Sequence, residues 1–100
     1  MRPLVFHSAA KAELDDAMAY YECCAQGLGL DLQNEVERAA RRLQKNPEHS
    51  PPHKRSGFRK CFVERFRFTI FFMELPTVIW IAAIAHQSRR PDYWRSRTLE

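Results

Sequence analysis

The sequence predicts a two-layer α+β domain: an N-terminal strand, an antiparallel helix hairpin, then a three-stranded antiparallel meander, with both helices packed on one sheet face. Three observations predict it. Apolar residues in the first half recur at three- and four-residue steps, the period of an amphipathic helix. Beyond residue 57 the period falls to two, and β-branched and aromatic residues take over. Between the two regimes lies a stretch, residues 47–57, with three prolines and no period. A chain of 100 residues, 45% of them hydrophobic, has room for one domain (1–100) with a single modest core.

Leu4-Val5-Phe6, bounded by Pro3, is a short apolar run that suits a first strand. Ser8 is the expected N-cap of a helix whose stripe is Ala10, Leu14, Ala17, Met18, Tyr21, Ala25 and Leu28. Glu13, Asp15 and Asp16 lie near its start, where the helix dipole favours anions, and Gly27-Leu28-Gly29 is expected to cap its end. A second stripe, Leu32, Val36, Ala39, Ala40 and Leu43, carries Asp31 early and Arg38, Arg41, Arg42 and Lys45 late, the sign order a helix dipole prefers. Asn46-Pro47 closes it, because the residue before proline is pushed out of the α region. Phe58 to Glu64 then reads as a strand, and Arg65 to Glu74 as a second or its continuation, with Phe66, Phe68, Ile70 and Phe72 on one face. Leu75-Pro76 marks a turn. Thr77 to His86 is nearly all apolar, as a central strand should be, and the first strand finds its partner beside it.

Charge is uneven. Residues 1–50 sum to −2 and residues 51–100 to +6, which suggests an acidic partner for the second half. Cys23, Cys24 and Cys61 are odd in number and lack chelating spacing, so they are expected as reduced thiols packed like small apolar residues. His7, His49 and His53 have no carboxylate or cysteine at ligand spacing, and no metal or other cofactor is expected. The longest apolar run, Val78 to Ala85, is too short for a membrane span. Met1-Arg2-Pro3-Leu4 opens without an apolar signal region, so a cytoplasmic protein is expected.

Candidate functional residues concentrate from His86 to Arg97, where Arg89, Arg90, Arg95 and Arg97 alternate with Tyr93 and Trp94. Such residues grip phosphates, stack on bases or anchor protein interfaces. The opposite expectation is that Trp94 packs onto the sheet and the arginines are merely solvated. Acid–base chemistry would draw on His86, whose ordinary pKa lies near neutrality, with Tyr93 as acid and Arg59, Arg65 and Arg67 stabilising phosphate charge. The hydrolase elbow, the P-loop and the dinucleotide fingerprint do not occur.

Several ordered features resemble one family. They are Val5-Phe6-x-Ser8-x-Ala10-x-x-x-Leu14, Tyr20-Tyr21, Gly27-Leu28-Gly29, Asn46-Pro47, Arg65-Phe66-Arg67-Phe68-x-Ile70-x-Phe72 and Ile84-Ala85-His86-x-x-Arg89-x-Pro91-x-Tyr93-Trp94-x-x-Arg97. Together, from about residue 3 to residue 97, they resemble the RelE/ParE superfamily of bacterial type II toxins. The resemblance implies a helix hairpin on an antiparallel sheet, an antitoxin that wraps the toxin with an acidic segment, and a higher-order toxin–antitoxin complex. Two activities follow from it. ParE-like members inhibit DNA gyrase without bond chemistry, which would make Arg89, Arg90, Tyr93, Trp94 and Arg97 the target-binding residues. RelE-like members cut mRNA on the ribosome, which would make His86, Tyr93, Arg59, Arg65 and Arg67 catalytic. The strands here lack a lysine cluster beside Arg65 and Arg67, so the ParE-like branch is expected. A third expectation is a toxin fold retained as a binding module.

Overall fold

The computed structural model describes residues 1–99. Among them the elements run β1 (Leu4–Phe6), α1 (Ser8–Cys24), α2 (Leu28–Lys45), a 3-10 turn (Pro47–His49), β2 (Arg59–Phe62), β3 (Phe68–Glu74) and β4 (Ile79–His86). The strands form one mixed sheet in the order β1-β4-β3-β2. β4 pairs antiparallel with β3 and parallel with β1, so the apolar Ile79–His86 run is internal, as expected.

The passage from β1 into α1 is made by one residue. The His7 N–H donates to the Ile81 carbonyl at 2.9 Å, and His7 Nδ1 accepts from the Ala9 N–H at 3.0 Å. The helix cap is therefore His7, and Ser8, the expected cap, is the first helical residue. α1 stops at Cys24 because Ala25 turns to an extended conformation. Gly27 was expected to end the first helix; at φ +84° it instead opens the second, and Leu28 and Gly29 lie inside α2. Gly27 has no side chain to cap with. The Glu22 carboxylate takes that role, accepting from the Gly27 and Gly29 N–H groups at 2.9 and 3.0 Å. A Cβ on Gly29 would sit 2.6 Å from the Met18 carbonyl oxygen, so glycine sets how closely the two helices approach.

The helix hairpin covers one face of the sheet. Leu32, Val36, Ala39 and Leu43 of α2 and Ala10 of α1 are buried against Ile70, Phe72, Ile79, Ile81 and Ile84. Burying such side chains contributes about 1.5–3 kcal/mol each, and this layer is the main source of stability. Cys61 joins it, and burial raises its thiol pKa. Cys23 and Cys24 differ from expectation: they sit in the exposed last turn of α1 rather than in the core.

β2 and β3 are separated by a turn, not continuous from Arg65. The Val63 N–H donates to the Phe68 carbonyl at 3.0 Å, and Phe66 and Arg67 have φ of +70° and +59°. Two successive left-handed residues reverse the chain and end the period of two. Phe66 therefore leaves the Phe68/Ile70/Phe72 row and packs edge-on against Tyr21, ring centroids 4.9 Å apart.

A β-bulge breaks β4. Phe71 pairs with Ala83 and Phe72 with Ile81, which leaves Ala82 as the extra residue. Ile79 and Ile81 face the helices before it and Ile84 after it, while Ala82 and Ala83 both belong to the opposite layer. That opposite layer is aromatic. Phe58, Trp80 and Trp94 are buried there, with Phe71, Met73 and Tyr93 partly buried around them.

Candidate functional site

Residues 91–96 wind through a run of turns across the aromatic layer, held by i→i+3 bonds such as Arg95 N–H to Asp92 carbonyl at 3.1 Å. Trp94 is their anchor. It is 1% exposed, stacks on Phe71 at 4.4 Å between centroids and meets Phe58 edge-on at 4.8 Å. Trp94, expected in target contact, is a ring closed off from solvent, and here it fixes the segment.

Two acidic clasps tie this segment down. Glu13, mid-helix in α1, accepts a short hydrogen bond from the Tyr93 hydroxyl and pairs with Arg97, Nη1 to Oε1 at 3.1 Å. The same carboxylate accepts the Ile84 N–H at 3.1 Å, and Arg97 donates to the Ala82 carbonyl at 2.8 Å. These are backbone groups of β4 beyond the point where β1 stops and beside the bulge, so Glu13 and Arg97 satisfy what the sheet leaves open. Burial, then the hydrogen bond and charge of Glu13, push the Tyr93 phenol well above its usual range. Such a phenol is a poor proton donor, which disfavours the acid role expected of it. The second clasp is Asp92, held at φ +60°. Lys54 Nζ lies 2.5 Å from Oδ2 and His53 Nε2 lies 2.7 Å from Oδ1. Those two bonds, Lys54 first, hold the Asp92 carboxyl down at about 2. His53, in the aperiodic stretch of residues 47–57, is wedged against Phe71 and Trp94.

The candidate catalytic residues converge only in part: Arg65, Arg67 and His86 share one end of the sheet, while Arg59 is held apart from them. Arg59 lies on β2, where it pairs with Glu74 at 3.0 Å and donates to the Ser50 carbonyl at 2.7 Å. Arg65 and Arg67 are in the β2–β3 turn rather than on an open sheet face. His86 ends β4, as expected, with its ring against Phe68 and Nδ1 2.8 Å from Ser88 Oγ. Arg67 and His86 are neighbours through the backbone, since Phe68 pairs with His86 and the Gln87 N–H donates to the Arg67 carbonyl at 2.9 Å. Arg89 and Arg90 are exposed in the turn that follows. A groove of about 440 Å³ runs beside them, between Tyr20 and Tyr21 of α1 and His86, Ser88 and Arg89.

Glu13, His53 and Asp92 were not singled out as site residues from the sequence. Glu13 did carry a signal: it falls three residues after Ala10 and four before Ala17, on the flank of the buried stripe, where an acid needs a partner. Asp92 and His53 lie 39 residues apart with no spacing rule to join them.

A helix hairpin laid over a short mixed sheet, with a clasped C-terminal segment on the other face, defines a small two-layer α+β fold. A solved structure titled "Chromosomal ParDE TA system from P. aeruginosa" shares that fold at a TM-score of 0.74 and 23% identity, covering 86% of this chain and 96% of that one. The family model "ParE toxin of type II toxin-antitoxin system, parDE" matches residues 4–91, and the chain belongs to that family. No match is found among curated proteins. Among the described residues no helix is long and apolar enough to cross a membrane.

Proposed function

We propose that this ParE-family toxin inhibits DNA gyrase in the bacterial cytoplasm by binding, with no bond made or broken, and that a cognate antitoxin neutralises it. One observation carries the choice over mRNA cleavage: two of the five groups that nuclease chemistry would draw on, the proton donor and one charge stabiliser, are engaged elsewhere. Tyr93 gives its hydroxyl to Glu13 and Arg59 gives its guanidinium to Glu74 and Ser50, so neither is free to meet a phosphate beside His86. The exposed part of the expected contact set is Arg89 and Arg90, while Tyr93, Trp94 and Arg97 hold the turn that presents them. The basic second half also suits capture by an acidic antitoxin segment, because complementary charge speeds association.

The test is a supercoiling assay with purified gyrase run beside a translating-ribosome cleavage assay. Lost supercoiling or trapped cleaved DNA, with mRNA intact, is the expected result, and His86→Ala should preserve it. Codon-spaced mRNA cuts with gyrase unaffected would overturn the reading in favour of the nuclease. Silence in both assays, with the antitoxin still bound, would identify a fold kept as a binding module.

A further inference from the structure

We infer that the end of the sheet formed by the β2–β3 turn and the turn after β4 is a grip for the sugar–phosphate backbone of duplex DNA, built from Arg65, Arg67, Arg89 and Arg90. The two turns are fastened together. The Gln87 N–H donates to the Arg67 carbonyl, and Phe68 pairs with His86 directly beneath. Four of the chain's twelve arginines, all exposed and in two pairs far apart in sequence, are thus brought to one edge.

Three observations say what they bind. First, among the described residues none of the four makes an ion pair, whereas Arg2, Arg38, Arg41, Arg42, Arg59, Arg95 and Arg97 all do. Two of the carboxylates nearby are occupied, Asp92 by Lys54 and His53 and Glu13 by Tyr93 and Arg97, while Asp16 lines the groove beside Arg89 without pairing with it. Second, two of the guanidiniums are already oriented. Arg89 lies 4.1 Å above the Tyr93 ring, which Glu13 holds by its hydroxyl, and Arg65 lies 4.8 Å above the Phe66 ring, which packs on Tyr21. Stacked guanidiniums lose less freedom when they bind, and their planar forks match phosphate oxygens. Third, no large hydrophobic side chain is exposed in either turn; those exposed are Met1, Val5, Tyr20, Leu30, Phe62 and Leu99. A protein partner needs an apolar anchor at the centre of its contact. Single-stranded nucleic acid needs successive free aromatic faces; in the two turns Trp94 is buried and Tyr93 and Phe66 are covered by arginine, which leaves Tyr20 of α1 as a single exposed ring across the groove. Charge without anchor or stacking platform is the requirement of a duplex backbone. The inference stands beside the gyrase reading, and its test contains no gyrase, so either can fail alone.

The test is fluorescence anisotropy of the full chain on a labelled DNA duplex across a salt series. Four phosphate contacts predict a slope of log affinity against log salt near −3.6, so that affinity falls roughly 100-fold between 50 and 200 mM. Replacing all four arginines by glutamine should flatten the slope to near zero, with the helical circular dichroism retained. The milder pair Arg65→Gln and Arg90→Gln, at positions of ordinary backbone, should remove about half of it. A control of equal charge, Lys11→Gln, Arg38→Gln, Arg41→Gln and Lys45→Gln on the helices, should keep most of the slope. The proposal falls if the control loses as much as the four-arginine variant, or if a single strand of equal phosphate number binds more tightly than the duplex. It also falls if polyglutamate of equal charge binds as tightly, which would assign the patch to an acidic protein segment.

Discussion

The two faces of the sheet are closed by different physics. The helix-covered face is aliphatic: Leu32, Val36, Leu43, Ile70, Ile79, Ile81 and Ile84 interlock, and the elements that supply them are long and regular. The opposite face is aromatic and has no regular element over it. Trp94, Phe58 and Trp80 fill it, and the turns of residues 91–96 stay in place through the carboxylates of Glu13 and Asp92. Non-directional burial suffices where two helices supply area. Where only a turn is available, directional bonds must fix the chain that brings the Trp94 ring to its seat.

If this division is right, Trp94→Ala should have the largest effect, a loss of about 3–5 kcal/mol. It should empty the aromatic face while the helical circular dichroism persists, read by comparing near- and far-ultraviolet signals during urea unfolding. Simultaneous loss of both signals at a lower midpoint would mean that the two faces are one unit. Leu32→Ala on the other side should cost about 2–5 kcal/mol and lower both signals together, since the buried stripe supports the hairpin and the sheet at once.

Glu13→Gln sharpens the contrast, because Glu13 serves both a backbone edge and the C-terminal segment. Removing its charge beside Arg97 should cost about 1–3 kcal/mol. Amide exchange should locate the damage: the Ile84 N–H, which donates to Glu13, should lose protection well before the Ile81 region does. The smallest effect belongs to Asp92. Its carboxyl is held at about 2, below the ordinary value of 3.8, so its contribution is present above pH 4 and is lost as pH falls through about 2. The melting temperature of the wild type should therefore drop more steeply from pH 4 to pH 2 than that of Asp92→Asn, with the two curves converging at the acid end.

The same contrast decides what could be read from the sequence. The stripe Leu32, Val36, Ala39, Ala40 and Leu43 and the row Phe68, Ile70, Phe72 are periodic, and periodicity is a local signal. The sheet order followed from short connections and one long one. The aromatic face had no such signal. His53 reaches Asp92 across 39 residues and Glu13 reaches Arg97 across 84, so neither clasp leaves a spacing in the chain. Trp94 was legible as important but not as buried or exposed, since the same residue types fill a seat in a core and a hot spot on a surface. The turn at Phe66 and Arg67 was missed because neither is a glycine or asparagine, the usual mark of positive φ.

The pairing of β1 with β4 sets an order in time. Leu4 lies beside Ile79, and every residue between them must be made before the two can meet. The helix hairpin, residues 8–45, needs only local contacts and can form within microseconds of leaving the ribosome. Its Leu32–Leu43 stripe then waits uncovered until β3 and β4 follow, and closing the long loop back to β1 costs further entropy. Last to arrive is the stretch that carries Arg89 and Arg90 and locks onto Glu13. Until it does, the arginines of the two turns are separate, and a growing chain passes through most of its synthesis with its basic edge unassembled.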